Sequence, residues 1–408
     1  MSNEQKNGIS RRTLIKGAGA AAGLAAASSI VPSRFAYGAA HMKKTPVKIG
    51  ILLPYSGTYA MLGNSITDAM KLRIAGAGDM LGGRPVEYVA IDSEMSVPKA
   101  PQNTSKLVDK DQVDFLVGPV HSGIAAAMAK IVGGREKPIM IVPNAGSNAV
   151  TGSLCAPNIF RTSFSNWQPA YPGGTQMAKD GHKTCVTIAW KYAAGRQMMD
   201  AGAEAFTKAG GQVIKDIEVP FPDVEFQAFL SEIAALKPDA VFAFFSGGGA
   251  TKFLKDYAAA GLKSIPLYGP GFLTEGVEQA AGEAAEGVRT TLHYSADLDN
   301  PSNLAFRDAF EKATGRVANV FAVQGYDAGS LIVQAMAAVQ GDTGATADII
   351  KAMENANFID SPRGPWKMSK AHNPIQNIYL REVLNGAQDY IGIAAEALED
   401  PATGCKMV

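Results

Sequence analysis

The chain has 408 residues, of which 47% are hydrophobic and 19% are charged, and its formal net charge at pH 7 is zero. This balance leaves room for two to three domains with large apolar cores and excludes a largely disordered chain. Residues 1–40 hold five of the 38 basic and one of the 38 acidic residues, so the remainder has a net charge of −4 and lacks the basic surplus that nucleic-acid binding requires.

The N-terminal segment, residues 1–40, predicts an export signal. Arg11 and Arg12 precede a moderately apolar run over residues 17–31, and small residues follow. This is the order of a twin-arginine signal. The run is shorter than the roughly 20 residues that cross a bilayer, and an N-terminal anchor is the alternative. With cleavage near Ala40, we expect a periplasmic protein.

Strand and helix patterns then alternate along the first half of the chain. Apolar runs predict buried strands, and apolar residues spaced three and four apart predict helices. This order indicates a parallel sheet with helices on both faces. The predicted strands are 47–53, 84–92, 113–118 and 138–143, and the predicted helices are 64–77, 98–111 and 124–132.

The second half repeats the same plan. The Ser-, Asn- and Pro-rich stretch 160–172 predicts the first connection between two such units. Chain that remains after both sheets is expected to cross back between them. The predicted fold is therefore α/β, with two Rossmann-like doubly wound lobes. The further strands are 184–190, 211–220, 239–245 and 265–269, with late β-structure over 379–394, and the further helices are 195–210, 224–236, 249–261, 301–314, 320–339 and 345–355.

Catalytic and metal-binding motifs are missing from the sequence. HExxH, CxxC, GxSxG and GxxxxGK[ST] do not occur, and the five histidines lack metal-ligand spacing. The glycine-rich turn at 246–251 lacks the GxGxxG register of a dinucleotide site. We therefore expect no enzymatic activity, no metal and no cofactor; an exported enzyme would need a nucleophile–base pair or a metal site.

The three cysteines allow one disulfide in an oxidising compartment. Cys185 lies in the apolar strand pattern CVTIAW and is expected to be a buried thiol. Cys155 and Cys405 lie in loop-like stretches, so we favour that pair, although sequence does not determine the connectivity.

Loops rich in Gly, Ser, Asn and aromatic residues follow the carboxyl ends of the predicted strands, where open α/β sheets bind ligands. Four of them lead into helices, whose first N–H groups suit a carboxylate. In GPVHSG, the Ser122 hydroxyl and the amides of Ser122 and Gly123 can reach one oxygen. Alternatively, Ser122 is a plain N-cap and His121 a partly exposed turn residue. The loops are 54–64, 119–123, 143–148, 190–195, 246–250 and 269–273.

Several of these stretches resemble one family over residues 46–395. ILLPYSGTYAMLGN, GGRPVEYVAIDSE, KLVDKDQVDFLVGPVHSG, PNAGSNA and NIFRTSFSN resemble the type I periplasmic binding proteins, in the branch of the leucine-isoleucine-valine-binding protein of ABC importers. The resemblance implies two lobes that close on a ligand by hinge bending, with three crossings near residues 163, 294 and 372.

The domain boundaries and partners follow from this resemblance. The partners implied are a small-molecule carboxylate and an ABC permease in the inner membrane, and we expect a monomer that binds no nucleic acid. The domains are an export signal (1–40), lobe I (41–163 and 295–372) and lobe II (164–294 and 373–408).

Ligand contacts of the family carry over by position. Ser122 matches the serine that holds the ligand carboxylate in amino-acid binders, and Leu62 and Phe321 match an apolar wall. A further hydroxyl or amide is implied among Asn144, Ala145, Gly146 and Ser147.

One departure from the family pattern concerns the ligand amine. Gly271 stands where amino-acid binders carry an acid that pairs with the α-ammonium, and Glu275 lies four residues further on. A buried ammonium without a partner is costly. The ligand is therefore expected to lack an α-amine.

Other departures concern the size of the pocket. Ala194 replaces a tyrosine that closes the pocket, and Ser246 or Gly247 replaces another, while Tyr192 and Phe272 offer ring surfaces. These changes predict a larger, flat carboxylate. FRTSFSNWQPAYP also resembles the branch that binds aromatic acids such as benzoate or hydroxycinnamate derivatives. A branched-chain amino acid or amide binder and a ligand sensor of the same fold remain alternatives.

Overall fold

The computed structural model describes residues 45–408, so the predicted export signal lies outside the described residues. None of the helices in residues 45–408 combines the length and the apolar character that a membrane-spanning segment requires.

The first sheet has six strands. These are β1 (Val47–Leu53), β2 (Met80–Leu81), β3 (Arg84–Asp92), β4 (Phe115–Val117), β5 (Ile139–Val142) and β6 (Ile159–Arg161). Their spatial order is β2-β3-β1-β4-β5-β6, and all neighbours are parallel except β2 and β3. β1, β4 and β5 are apolar and almost entirely buried, as expected for strands covered by helices on both faces.

The second sheet has eight strands. These are β7 (Thr184–Lys191), β8 (Gln212–Pro220), β9 (Ala240–Phe244), β10 (Leu267–Pro270), β11 (Arg289–Leu292), β12 (Lys367–Met368), β13 (Pro374–Leu384) and β14 (Ala387–Leu398). The order is β12-β13-β11-β10-β9-β7-β8, and β14 also pairs with β13. β7 to β11 are mutually parallel, and β12, β13 and β14 pair antiparallel. The predicted α/β architecture is confirmed.

Eleven α-helices lie within residues 45–408. The predicted helix 98–111 is a short α-helix that continues into a π-helical turn, Lys106–Lys110. The helices are α1 (Ala60–Ala75), α2 (Ala100–Ser105), α3 (Ser122–Val132), α4 (Trp167–Lys179), α5 (Ala193–Lys208), α6 (Gln227–Leu236), α7 (Gly247–Ala259), α8 (Glu278–Ala281), α9 (Pro301–Thr314), α10 (Val320–Ala338) and α11 (Thr346–Glu354).

The late helix α10 returns to the first sheet and packs on α1. A Cβ on Gly325 would lie 2.1 Å from the carbonyl oxygen of Ile66, so only glycine allows the two helices to approach this closely. The chain thus returns to the first sheet after the second sheet has begun. This agrees with the expectation that the chain remaining after both sheets crosses back between them.

The predicted connection 160–172 is wrong in extent. Residues up to Arg161 belong to β6, and α4 starts at Trp167, so only residues 162–166 join the two. Pro169 is compatible with this helix because the N–H groups of a first helical turn have no intrahelical acceptor. Pro172 lies further inside α4. The two prolines of this helix are the reason that the sequence pattern predicted a loop here.

A buried arginine holds two of the connecting segments together. Arg363 donates from Nη2 to the carbonyl oxygen of Thr162 (2.9 Å) and from Nη1 to that of Ser163 (3.2 Å). Its Nε lies 3.0 Å from Asp327 Oδ2 on α10. Burial raises the pKa of Asp327 to about 6 and lowers that of Arg363 to about 10. The pair is therefore a desolvated ion pair beside the crossings.

The last crossing touches both sheets. His372 stacks on Phe160 of β6, with ring centroids 4.0 Å apart, while Met368 of β12 already pairs with Pro374 of β13. The lobe boundaries given above stay a prediction.

Candidate ligand-binding site

A small cavity, lined mainly by buried residues, lies where the loops after the strands of both sheets meet. Nine of the fourteen predicted site residues line it: Leu62, Ser122, Asn144, Gly146, Tyr192, Ala194, Ser246, Phe272 and Phe321. Sequence reasoning missed the other lining residues, which are Tyr59, Val120, Phe164, Asn166, Met198 and Phe244. Binding by these residues remains a prediction that the geometry below makes specific.

Ser122 begins α3 at the edge of the cavity and is 1% exposed. It is not the N-cap: His121 has that role, and its Nδ1 accepts a hydrogen bond from Gly123 N at 3.0 Å. The Gly123 amide is therefore already engaged, and the prediction that it points at a ligand oxygen is wrong. The Ser122 Oγ accepts from Asn166 Nδ2 (3.3 Å), which leaves the hydroxyl proton for another acceptor.

His121 lies behind the cavity and does not line it. Its ring packs against Tyr192 and Phe221 of the second-sheet side, with centroids 4.8 and 5.5 Å away. Burial lowers the pKa of His121 to about 4, so the imidazole is neutral at pH 7. Its contacts join the two sides of the cavity.

The loop over residues 144–147 is held from behind by Arg161, a fully buried residue that sequence reasoning did not single out. Arg161 donates to the carbonyl oxygens of Ala145 (2.7 Å) and Ser147 (2.8 Å). It also donates to that of Phe164 (2.6 Å). Ala145 and Ser147 shape the loop through these bonds and do not line the cavity. Burial lowers the pKa of Arg161 to about 10, and the guanidinium stays charged at pH 7.

Gly146 has a steric reason to be glycine. A Cβ at this position would lie 2.1 Å from Asn166 Oδ1 and 2.5 Å from the ring of Phe164. The residues of the crossing thus pack directly on the backbone of the loop. Phe164 and Asn166 were hidden in the FRTSFSN stretch, whose resemblance to the family was the signal that could have identified them.

Asn144 is oriented by a buried chain of side chains. Its Nδ2 donates to Gln324 Oε1 at 2.7 Å, and Gln324 Nε2 lies 3.2 Å from His293 Nε2. Burial, with Arg363 and Arg381 nearby, lowers the pKa of His293 well below its usual value. A neutral His293 accepts from Gln324, and Asn144 keeps Oδ1 as an acceptor.

The second-sheet side carries two hydroxyls at the cavity, that of Tyr192 and that of Ser246. Tyr59 Oη of the first-sheet side lies 3.2 Å from Tyr192 Oη. Burial raises the pKa of both phenols, so both stay protonated, and one proton remains free after they bond to each other. Ser246, 3% exposed, is the N-cap of α7 but makes no capping bond, and its Oγ has no partner among residues 45–408. Such a hydroxyl is available to a ligand.

Gly247 does not line the cavity but sets how closely the two sides approach. Its φ is +57°, and a Cβ would lie 2.6 Å from the carbonyl oxygen of Thr58 in the loop after β1. Any other residue would push α7 away from that loop.

Aromatic and aliphatic side chains form the rest of the wall. The ring centroid of Phe272 lies 4.8 Å from that of Phe164 and 6.2 Å from that of Phe321. The Phe244 ring packs edge-on against Phe272, with centroids 6.3 Å apart. These rings contact one another and form a continuous apolar surface at the cavity, which favours an aromatic ligand group. Leu62, Val120 and Met198 complete the wall.

No charged side chain lines the cavity within the described residues. Glu275, considered above as a partner for an ammonium, accepts from Arg381 Nη1 (2.5 Å) and from Val320 N (2.6 Å) instead. Gly271 lies against this pair: a Cβ would lie 2.3 Å from Arg381 Nη2. Because the Arg381 side chain packs against it, position 271 has no room for a side chain. Gly271 does not line the cavity.

Outside the cavity, a disulfide joins Cys155, in the loop between β5 and β6, to Cys405 in the tail after β14. Cys185 is a free, buried thiol whose pKa burial raises to about 12. Residues 45–408 contain no group of three or more His, Cys, Asp or Glu side chains suited to a metal ion.

The family model described as periplasmic binding protein matches residues 46–388. The chain is 34% identical over 351 residues to Leu/Ile/Val-binding protein homolog 6 of Brucella abortus, covering 83% of this chain and 87% of that protein.

Among solved structures, the solute-binding protein of an ABC transporter from R. palustris, in complex with benzoate, is 52% identical with a TM-score of 0.86, covering 89% of this chain and all of that one. One from Rhodopseudomonas palustris BisB5, in complex with 3,4-dihydroxybenzoic acid, is 31% identical with a TM-score of 0.82, covering 87% and 99%. A leucine-binding protein from Thermotoga maritima, 22% identical with a TM-score of 0.74 and covering 85% and 98%, shares the fold. The chain therefore belongs to the periplasmic binding protein family, among relatives that are solute-binding proteins of ABC transporters.

Proposed function

We propose that the protein is the extracytoplasmic solute-binding protein of an ABC importer and that it captures a small aromatic carboxylate in the cavity between its two sheets. One observation carries this proposal: the cavity is walled by aromatic rings, offers the free hydroxyl protons of Ser122 and Ser246, and has no charged side chain within the described residues. An amino acid would leave its ammonium without a partner there, because Glu275 is bonded to Arg381.

The carboxylate is held by neutral donors. Ser122 supplies a hydroxyl at the start of α3. At the opposite wall, Ala194 lies in the first turn of α5 and Ser246 is the N-cap of α7. Residues at three helix N-termini line one small cavity, and the partial positive charge of these termini favours an anion without a buried cation. The rings of Phe272 and Tyr192 cover the aromatic part of the ligand.

The solved relatives support this ligand class, since their ligands are benzoate and 3,4-dihydroxybenzoic acid. The Leu/Ile/Val-binding homologues support a branched-chain amino acid, but at lower identity than the benzoate-bound relative and against the absence of a charged side chain from the described cavity lining. The remaining parts of the proposal are export by the twin-arginine signal in residues 1–40, closure of lobe I (41–163, 295–372) on lobe II (164–294, 373–408), a monomeric state and delivery to an inner-membrane permease. A sensor of the same fold would use the same cavity.

Calorimetric titration with benzoate, 4-hydroxybenzoate, a hydroxycinnamate, benzamide and leucine tests the ligand class. We expect a benzoate-type acid to bind with a micromolar or lower Kd, which corresponds to about −8 kcal/mol or stronger, and leucine to give no heat. Binding of leucine, with no response to any aromatic acid, contradicts the proposal. Uptake of the bound acid by cells with and without the protein separates an importer component from a sensor.

A further inference from the structure

We propose that Gln197, on α5, is a positioning residue that acts through Asn166 to direct the Ser122 hydroxyl proton at the ligand carboxylate and thereby favours carboxylates over carboxamides. The inference rests on the proposed function, since it concerns the same cavity. Gln197 itself does not line that cavity.

The evidence is a continuous chain of hydrogen bonds. Gln197 Oε1 accepts from the backbone N of Asn148 at 3.1 Å and from Asn166 Nδ2 at 2.7 Å. The same Nδ2 donates to Ser122 Oγ at 3.3 Å. Asn166 and Ser122 are each 1% exposed, so water does not compete for the bond between them, and the two bonds of Gln197 are partly buried.

The backbone amide at the start of the chain sets the direction of every bond in it. An N–H group can only donate, so the atom of Gln197 that meets Asn148 N must be the oxygen. The atom of Asn166 that meets this oxygen must then be its amide nitrogen. That nitrogen also faces Ser122 Oγ, which becomes an acceptor from Asn166 and has its own proton free for the cavity.

The four residues come from both sides of the cavity. Ser122 begins α3 and Asn148 lies in the loop after β5, both on the first-sheet side. Gln197 lies on α5 of the second sheet, and Asn166 lies in the connection between the sheets. The chain of bonds is complete only when the two sides are together. It therefore couples closure of the cavity to the orientation of a ligand-binding hydroxyl.

The consequence for specificity follows from donor and acceptor counting. Either oxygen of a carboxylate can accept the Ser122 proton, whereas a carboxamide can accept it only with its carbonyl oxygen, because the lone pair of its nitrogen is delocalised. Without Gln197, Asn166 and Ser122 are free to turn, and Ser122 can accept from an amide. The preference for benzoate over benzamide should then decrease.

The test is a double-mutant cycle on the full chain, with benzoate and benzamide titrated separately and benzoate dissociation followed by stopped flow. The variants are Gln197→Met, Ser122→Ala and their combination. Gln176→Met is the control, because the Gln176 side chain donates to the nearby Asp180 in an exposed hydrogen bond away from the cavity. We expect Gln197→Met to weaken benzoate binding about tenfold, mainly through faster dissociation, and to reduce the benzoate preference several-fold. In the Ser122→Ala background we expect the same change to cost less than about twofold.

Equal losses in both backgrounds, or equal weakening of benzoate and benzamide, would mean that Gln197 only supports the structure and would overturn the inference. An affinity unchanged from the Gln176→Met control would do the same. A wild-type protein that binds no aromatic acid is a different result, because it overturns the proposed function itself. Thermal unfolding of each unliganded variant verifies that it is folded.

Discussion

The two sides of the cavity differ in how firmly their polar groups are held by neighbouring side chains. The first-sheet side carries the polar groups that buried bonds hold in place: Arg161 fixes the loop over residues 144–147, and Asn166 and Gln324 orient Ser122 and Asn144. The second-sheet side is mainly aromatic, and its one unpaired hydroxyl, Ser246, is held by no other side chain among the described residues. One side of the cavity can therefore orient the ligand carboxylate, while the other side covers the ligand ring.

The largest expected effect comes from removing the support of the first-sheet side. Arg161→Met leaves the carbonyl oxygens of Ala145, Ser147 and Phe164 buried without donors, and we expect the free energy of unfolding to fall by about 4 kcal/mol. Urea unfolding measures it. Arg135→Met, which removes an exposed ion pair with Asp109, is the control and should cost less than about 1 kcal/mol. Equal losses would show that Arg161 has no special role.

The next effect concerns the covalent link between the two sides. The disulfide Cys155–Cys405 ties the loop between β5 and β6 to the tail after β14, across 250 residues of sequence. Replacing both cysteines by serine is expected to lower the free energy of unfolding by about 3 kcal/mol, because the unfolded chain gains freedom. Thermal unfolding measures this loss. The wild-type protein in reductant should behave as the variant does; if the variant is as stable as the oxidised protein, the link is dispensable.

A pH effect of about 2 kcal/mol is expected where His121 joins the two sides. Its folded-state pKa of about 4 lies below the ordinary value of 6.5 because burial opposes the charge. As pH falls below 6.5, the unfolded chain binds the proton first, so stability is present in full above pH 6.5 and is lost toward pH 4. Between pH 7 and pH 5 the wild type should therefore lose about 2 kcal/mol more than His121→Gln does. Equal pH profiles of the two proteins in urea unfolding would contradict this assignment.

The smallest effects compare the two hydroxyls directly. Ser122→Ala should weaken benzoate binding by about 2 kcal/mol, because it removes an oriented, charge-assisted hydrogen bond. Ser246→Ala should cost about 1 kcal/mol, because no neighbour orients its hydroxyl. Calorimetry of both variants decides the order. A larger loss for Ser246→Ala would reverse the roles of the two walls.

Local patterns were sufficient to predict much of this molecule. Apolar runs and helical spacing predicted the alternating strands and helices, because burial on both faces of a parallel sheet imposes those patterns on neighbouring residues. Loops at the carboxyl ends of the strands predicted where a cavity would form, and the family resemblance selected Ser122, Asn144 and Phe272, which do line it.

Tertiary structure alone decided what each polar residue does. Gly271 faces Arg381, 110 residues away, and Arg161 binds carbonyl oxygens of a loop whose shape no local pattern describes. His121 became the helix cap and a contact to Tyr192, and Gln197 reached Asn166 across the connection between the sheets. Sequence periodicity reports which face of an element is buried, whereas the partner of a buried donor depends on which distant segments the fold brings within 3 Å.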